Sequence, residues 1–330
     1  MSSSESASLK SATTKVDIHP IRGEEVEEAE KLVRLAFGTF FNAPNPTENP
    51  SERRMIVHRF DQNPHNVIAA TLDGVIVGTN VLTEWGSFGF FGPLAVRPDL
   101  WNSGIGGKLV AAAVDKFESD GISSLGLFTF ADSPKHLGLY HKFGFCSRFL
   151  TPLMEKKIES NMTRTYFKNY RRFSKIAQND RSQALDEIRA LTEPLYPGLD
   201  LSREIQLVDD FKMGETLLVF DESRNLAAFA ICQTGAGTEA GLDRCYIKFG
   251  ASRIGPKASN DFTSLLKACE SYAAESKVSI LEAGMNLSHD AAFDVMLRNK
   301  FQISFIGVNM QKPNEPAYNR RETFVIDDLR

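Results

Sequence analysis

Residues 94–109 read Leu94-Ala95-Val96-Arg97-Pro98-Asp99-Leu100-Trp101-Asn102-Ser103-Gly104-Ile105-Gly106-Gly107-Lys108-Leu109. The stretch predicts a buried strand, a tight turn with glycines at 104, 106 and 107, and then a helix. Ile105, Leu109, Val110, Val114 and Phe117 recur at helical spacing after the turn. Glycines let backbone N–H groups approach a bound group without interference from a Cβ. A helix N-terminus carries unpaired N–H groups and partial positive charge, which favour phosphate. Together these features predict a pyrophosphate cradle on a strand-turn-helix unit. The glycine order Gly104-x-Gly106-Gly107 lacks the third glycine of a dinucleotide fingerprint. Gly107-Lys108 is followed by Leu109 rather than Ser or Thr, which excludes a Walker loop.

The arrangement resembles the acetyl-CoA motif of the GNAT acetyltransferases, roughly V-x-P-x-x-R/Q-x-x-G-x-G/A-x-x-L. Val96, Pro98, Gly104, Gly106 and Leu109 fall in its register. A second signature, L-Y-x-K-x-G-F, is matched by Leu139-Tyr140-His141-Lys142-Phe143-Gly144-Phe145, in the family's order and spacing. Trp101 stands where the family places Arg or Gln, which removes one polar contact but leaves the backbone donors.

The resemblance implies an acetyl-CoA-dependent N-acetyltransferase that moves an acetyl group to a primary amine of a small molecule or peptide by direct attack. It assigns cofactor contacts to Leu94, Val96, Asn102, Ser103, Gly104, Ile105, Gly106, Gly107 and Lys108. It gives the backbone N–H of Val96 the task of polarising the thioester carbonyl. Tyr140 would donate a proton to the departing sulfur. Many relatives carry a Glu on the strand that here reads Phe88-Gly-Phe-Phe-Gly-Pro-Leu-Ala-Val96, which has no ionisable side chain. Glu84 is the best substitute as general base, ahead of Asp132 and His136; a water chain or a free C-terminal carboxylate are further options. In the family the loop between the first two helices walls the acceptor pocket. Phe37, Phe40 and Phe41 in that region, with Trp85 expected beside them, favour an apolar or aromatic amine over a polycation. A catalytically silent acyl-CoA-binding sensor or interaction protein is the competing reading.

The first half predicts a strand at 16–18, an amphipathic helix at 24–41, and a proline-broken loop at 42–50. A helix capped by Ser51 follows, through Phe60. Strands at 67–71 and 75–85 are joined by Asp73-Gly74, a hairpin signal. Strands at 88–96 and 124–130 flank the glycine turn and its helix. A helix from Ser133-Pro134 to Gly144 and a strand at 145–156 close the unit. This is the GNAT order over about residues 16 to 157. The fold implied has parallel strands 88–96 and 124–130 splaying apart at a bulge near Pro93-Leu94, with pantetheine in the gap like an added strand.

A displacement of about 156 positions overlays the second half on the first. The helix at 261–274 falls on that at 105–118, and Phe301 falls on Phe145. A helix at 182–192 and strands at 216–220, 226–232, 244–249 and 278–281 complete the set. The functional residues differ: Gly104 aligns with Asn260, Gly106 with Phe262 and Tyr140 with Met296. The expected architecture is therefore α/β (α+β), with two tandem GNAT folds. Each is a mixed, mostly antiparallel sheet with a splayed parallel strand pair and flanking helices. The expected limits are a disordered tail at 1–15, a catalytic domain at 16–158 and a degenerate domain at 159–330.

A length of 330 residues suits two domains, and 42% apolar with 24% charged residues is a globular composition. The net charge of -4 shows no basic stripe, which argues against nucleic acid. No apolar run is long enough to span a bilayer, and the Ser-rich start lacks the apolar segment of a secretory signal. Four cysteines without C-x-x-C spacing suggest reduced thiols and a cytoplasmic protein. Six scattered histidines suggest no metal site. A monomer or homodimer is expected.

Overall fold

The computed structural model describes residues 15–48, 50–158, 167 and 169–330. The tail expected over 1–15 lies outside these residues except for Lys15. The first half runs β1 (Asp17–Pro20), α1 (Val26–Phe40), α2 (Val57–Gln62), β2 (Val67–Leu72), β3 (Val75–Trp85), β4 (Phe88–Val96), α3 (Ile105–Ser119), β5 (Ser124–Phe130), α4 (Pro134–His141) and β6 (Cys146–Lys157). The second runs β7 (Tyr170–Arg172), α5 (Arg181–Thr192), α6 (Ser202–Asp210), β8 (Gly214–Phe220), β9 (Leu226–Gly235), β10 (Gly241–Ser252), α7 (Ala258–Glu275), β11 (Ile280–Gly284), α8 (Asp290–Arg298), β12 (Gln302–Lys312) and β13 (Val325–Ile326). Among the described residues no helix is long and apolar enough to cross a membrane.

Local chemistry explains most of the first half. Asp73 and Gly74 take left-handed φ of 51° and 78°, the backbone that a two-residue hairpin requires. Val26, Ala29, Leu32, Val33 and Ala36 bury one stripe of α1. With α2, that stripe packs on Val67, Ala69, Val81 and Ala95. Helices α3 and α4 cover the opposite face, where Leu109, Val110, Ala113 and Phe117 meet Ile68, Val77, Leu82 and Leu125.

Two expectations are corrected. The helix expected from Ser51 starts later, at Val57. Its free N-terminal donors are met from another helix: the buried Glu30 carboxylate accepts from Ile56 N at 2.9 Å and from Met55 N and Val57 N at 3.2 Å. A cap supplied from α1 leaves no trace in the sequence around Ser51.

The second correction concerns the sheets. Two separate sheets were expected; the described strands form one continuous sheet in the order β1-β2-β3-β4-β5-β12-β6-β11-β10-β9-β8-β7, with β13 beside β10. Strands β6 and β12 cross over between the halves. β12 pairs with β5, from Gly307↔Phe130 to Lys312↔Leu125, while β6 pairs with β11, and β6 and β12 pair with each other. Strand β6 therefore does not close the first half on itself. Either edge of β5 offers the same backbone groups, so alternation within β6 does not specify which strand it joins.

A third apolar cluster joins the halves on the α1 side: Trp85, Phe88 and Phe90 pack with Ile205 and Val208 of α6, Phe249 and Tyr318. Inside it, Arg59 of α2 contacts Glu204 at 2.7 Å and Glu239 at 3.1 Å, and Lys248 contacts Glu239 at 2.7 Å. These cations hold the Glu239 carboxyl well below the usual carboxylate range against the cost of burial.

Candidate active site

Strands β4 and β5 are parallel and paired only at their starts, over Phe88↔Ser124, Gly89↔Leu125 and Phe90↔Gly126. Beyond Phe90 they form an open fork. The register of β4 on β3 slips between Leu82↔Phe91 and Asn80↔Leu94, which places a bulge at residues 92 and 93. Past the bulge, Arg97 N donates to Val77 O at 2.9 Å. In an antiparallel ladder the bonded residues alternate. Ala95 therefore also faces β3, while Leu94 and Val96 turn their N–H groups away from it, toward the open fork. Val96 O is already taken: it accepts from Trp101 Nε1 at 2.8 Å. The Trp101 ring lies under Lys135 of α4, with Nζ 4.6 Å from its centroid. Trp101 thus braces the loop against α4 and strand β4, at the position where the sequence pattern leads one to expect a polar side chain.

Asn102 and Gly104 adopt left-handed φ of 67° and 86°. A Cβ on Gly104 would meet nothing within 4 Å, so this glycine is required by conformation rather than by space. The first turn of α3 has no side-chain cap, and its ladder begins with Lys108 N to Gly104 O at 3.2 Å. The donors of Ile105, Gly106 and Gly107 lie before that bond, at the positive end of the helix. Asn102, Ser103, Gly104 and Lys108 are exposed beside them. A Cβ on Gly106 would point at Leu139, Leu94 and Val96, 3.5 to 3.9 Å away. The loop, the outward edge of β4 and helix α4 therefore meet at the fork mouth. An elongated group with a phosphate at one end and amides along its length fits these donors.

Tyr140 is buried deeper, with its ring 6.0 Å from Phe91. Burial pushes its phenol well above the usual value, with the Thr129 side chain acting the other way. The hydroxyl therefore stays protonated. Phe91 and Thr129 lie on the two strands beyond their last pair, so Tyr140 belongs to the fork.

Glu84 does not join this group. It lies opposite Gly89, beside the paired end of the fork. Its carboxylate is held by Arg203 of α6 at 2.6 Å. Trp85 also departs from the expected acceptor wall: it is fully buried, with Nε1 3.3 Å from Glu204 at the junction of the halves. Asp132 is exposed after β5. Ser133 does not cap α4; its Oγ lies 2.6 Å from His136 Nδ1.

Phe37, Phe40 and Phe41 do gather at the open end of β5. Phe40 stacks on Phe130 at 4.4 Å, and Phe41 meets Phe130 at 5.4 Å. Three members of this group lie outside the expected wall: Phe130 itself, His136, 5.2 Å from Phe40, and Phe305 of β12, 6.0 Å from Phe130. Phe305 arrives from the second half through the strand crossing, and no local signal near residue 305 announces it. Among the described residues no group of His, Cys, Asp and Glu could hold a metal ion.

The second half has a fork as well. β10 and β11 run parallel from Arg244↔Ile280 to Ile247↔Ala283. Strand β13 then enters between them: Gly250↔Ile326 and Ala251↔Val325 pair antiparallel, and Met285 bridges Asp327. Ser252 N donates to Phe324 O at 3.1 Å, and Asp327 N donates to Gly284 O at 3.1 Å.

Comparison with known proteins agrees with this geometry. Residues 29–145 match the Acetyltransferase (GNAT) family model. No curated protein sequence matches the chain. Among solved structures, a putative acetyltransferase from Pyrococcus horikoshii is similar over 98% of this chain and 96% of its own, with 14% identity and a TM-score of 0.67. A GCN5-related N-acetyltransferase from Sphaerobacter thermophilus is similar over 90% of this chain and 95% of its own, with 11% identity and a TM-score of 0.59. At such identities the likeness establishes the fold. Residues 29–145 are thus a GNAT-family acetyltransferase domain, set within a larger mixed α/β fold shared with those two structures.

Proposed function

We propose that the chain is an acetyl-CoA-dependent N-acetyltransferase whose chemistry takes place in the fork of the first half. The observation that carries this reading is the outward-facing N–H edge of Leu94 and Val96, leading to the uncapped N-terminus of α3. Pantetheine amides would pair with that edge as an added strand. The pyrophosphate would take the donors from residue 102 to residue 107, with Lys108 beside them. The Val96 N–H would meet the oxyanion formed as an amine attacks the thioester. Tyr140 would protonate the leaving sulfur.

The second half supports one cofactor per chain. Gly250 and Ser252 correspond to Leu94 and Val96 under the internal displacement of about 156 residues. There the slot already holds an extended peptide, β13, and Ser252 donates to it. Phe262 stands where the first half has Gly106, and its ring lies 5.5 Å from Phe324 of that peptide. We read the second half as a degenerate GNAT domain, with limits near 159 and 330, whose slot is filled by its own chain. The backbone pairing in that slot supports an extended, amide-bearing partner for the first fork.

Calorimetric titration with acetyl-CoA tests the reading. One site per chain, lost in Gly104→Glu, is expected. Tyr140→Phe should bind acetyl-CoA normally and turn over at least about tenfold more slowly. Absence of binding by the unaltered chain refutes the proposal. Binding without turnover of any amine favours the sensor reading.

A further inference from the structure

Resting on the acetyltransferase reading above, we propose that His136 is the general base, and that the acceptor is an amine with an aromatic or apolar body held by Phe40, Phe41, Phe130 and Phe305. His136 and Tyr140 are four residues apart on α4, so their side chains rise from one face of the helix. Tyr140 reaches Phe91 and the Thr129 side chain inside the fork. His136 lies one turn nearer the mouth, 5.2 Å from Phe40 and 5.3 Å from Phe130. Ser133 Oγ fixes Nδ1 at 2.6 Å. Among the described residues no hydrogen bond engages Nε2. The imidazole is thus oriented with one nitrogen available at the edge of the aromatic group.

The surroundings keep that nitrogen basic but unprotonated. α1 presents Phe40 and β5 presents Phe130; the charged neighbour is Lys135 on α4 itself. Burial, with Lys135 adding to it, holds the imidazole below its ordinary value. A neutral imidazole can take a proton from an ammonium that has left water.

The aromatic group gives the acceptor class. Phe41 is 55% exposed, which is unusual for a phenylalanine that packs edge-on against two other rings, Phe40 and Phe130. Phe305 closes the other side from β12, 6.5 Å from Phe41. Exposed aromatic surface continuous with a reaction fork marks a binding site. Ring faces favour an apolar body and also attract an ammonium. Among the described residues no carboxylate belongs to this group, and a polyamine would require several.

The steps balance as follows. His136 Nε2 accepts one proton from the acceptor ammonium. The freed lone pair forms the C–N bond to the thioester carbon of acetyl-CoA. The C–S bond breaks with its electrons going to sulfur, which takes the Tyr140 proton. The second proton lost by nitrogen restores the phenol, and His136 releases its proton to water.

The test measures CoA release with 2-phenylethylamine and with spermidine, together with acetyl-CoA binding, for the unaltered chain, His136→Gln and Phe305→Ala. The unaltered chain should prefer 2-phenylethylamine. His136→Gln should keep acetyl-CoA affinity, lose about 10²- to 10⁴-fold in kcat at neutral pH, and show a rate that climbs with pH as free amine accumulates. Added imidazole should restore part of it. Phe305→Ala should raise KM for 2-phenylethylamine by a larger factor than it lowers kcat, with acetyl-CoA affinity retained. A preference for spermidine, or turnover of neither amine, overturns the acceptor class. Unchanged kcat and pH profile in His136→Gln overturns the base. Ser133→Ala, which frees Nδ1 without touching the ring, should shift the acid limb if His136 acts and leave it in place if it does not. Failure of the unaltered chain to bind acetyl-CoA would instead bring down the acetyltransferase reading itself.

Discussion

Asp327→Asn should stabilise the protein at pH 8 and do so less as the pH falls. Asp327 bridges Met285, just past β11, from within the second fork, and its carboxylate accepts from Tyr318 Oη at 2.6 Å and from Leu329 N at 2.8 Å. Burial, first, and then the neighbouring Asp328 raise its pKa from 3.8 to about 7. A folded-state value above the unfolded one means that the folded protein holds the proton more tightly between these limits. Stability from this group is complete below about pH 4 and is lost as the pH rises toward 7. A shift of about three units corresponds to a penalty of about 4 kcal/mol at pH 8, as an upper bound. Asparagine cannot ionise, and its amide can keep the Leu329 N–H while the Tyr318 hydroxyl turns to accept. Allowing about 2 kcal/mol for imperfect hydrogen bonding, a net gain of about 2 kcal/mol is expected at pH 8. Urea unfolding of both chains from pH 4.5 to pH 8 is the assay. The difference between them should grow with pH and level off above about 7. A difference that stays flat with pH, or an asparagine chain less stable at pH 8, refutes an ionising carboxylate in the filled fork.

Three other outcomes follow from the geometry. Arg59→Ala should cost about 3–5 kcal/mol, because it strands the buried carboxylates of Glu204 and Glu239; a loss under about 1 kcal/mol in denaturant titration would contradict this. Glu84→Gln should leave turnover within about twofold of normal and change stability by less than about 1 kcal/mol, since its partner Arg203 is largely exposed. A large fall in kcat would return Glu84 to the list of bases. Gly104→Ala should weaken acetyl-CoA binding and cost about 1 kcal/mol in stability, because a Cβ disfavours φ of 86° even where space is free; normal affinity would show that this turn does not hold the pyrophosphate.

Much of the fold was legible because it is written in local periodicity. β4, β5 and the start of α3 lie where alternation, helical spacing and the glycines at 104, 106 and 107 put them. The hairpin at Asp73-Gly74 is set by two left-handed residues. The bulge before Leu94 and the parallel pair that opens beyond Phe90 agree with the fold that the motif implies. Helix α6 was missed: it is short and carries buried Glu204 and Asp209 on its packed side, so its polar residues resemble a loop.

The candidate site was legible where backbone performs the task. Left-handed turns and helix termini depend on nearby residues, so Gly104, Gly106 and the donors around them could be located from sequence. The parts made by side chains from distant segments could not. Arg203, which engages Glu84, comes from α6, and Phe305 comes from a strand more than a hundred residues beyond α4.

The sequence by itself determined the strand-turn-helix unit and the order of elements in the first half, since each depends on interactions within a few turns of chain. Only the tertiary structure decided that β6 and β12 change places, that Phe305 reaches the first fork and that β13 fills the second. Strand edges present the same N–H and C=O groups whatever their sequence. The choice among edges is made by what each exchange buries on the two faces of the whole sheet.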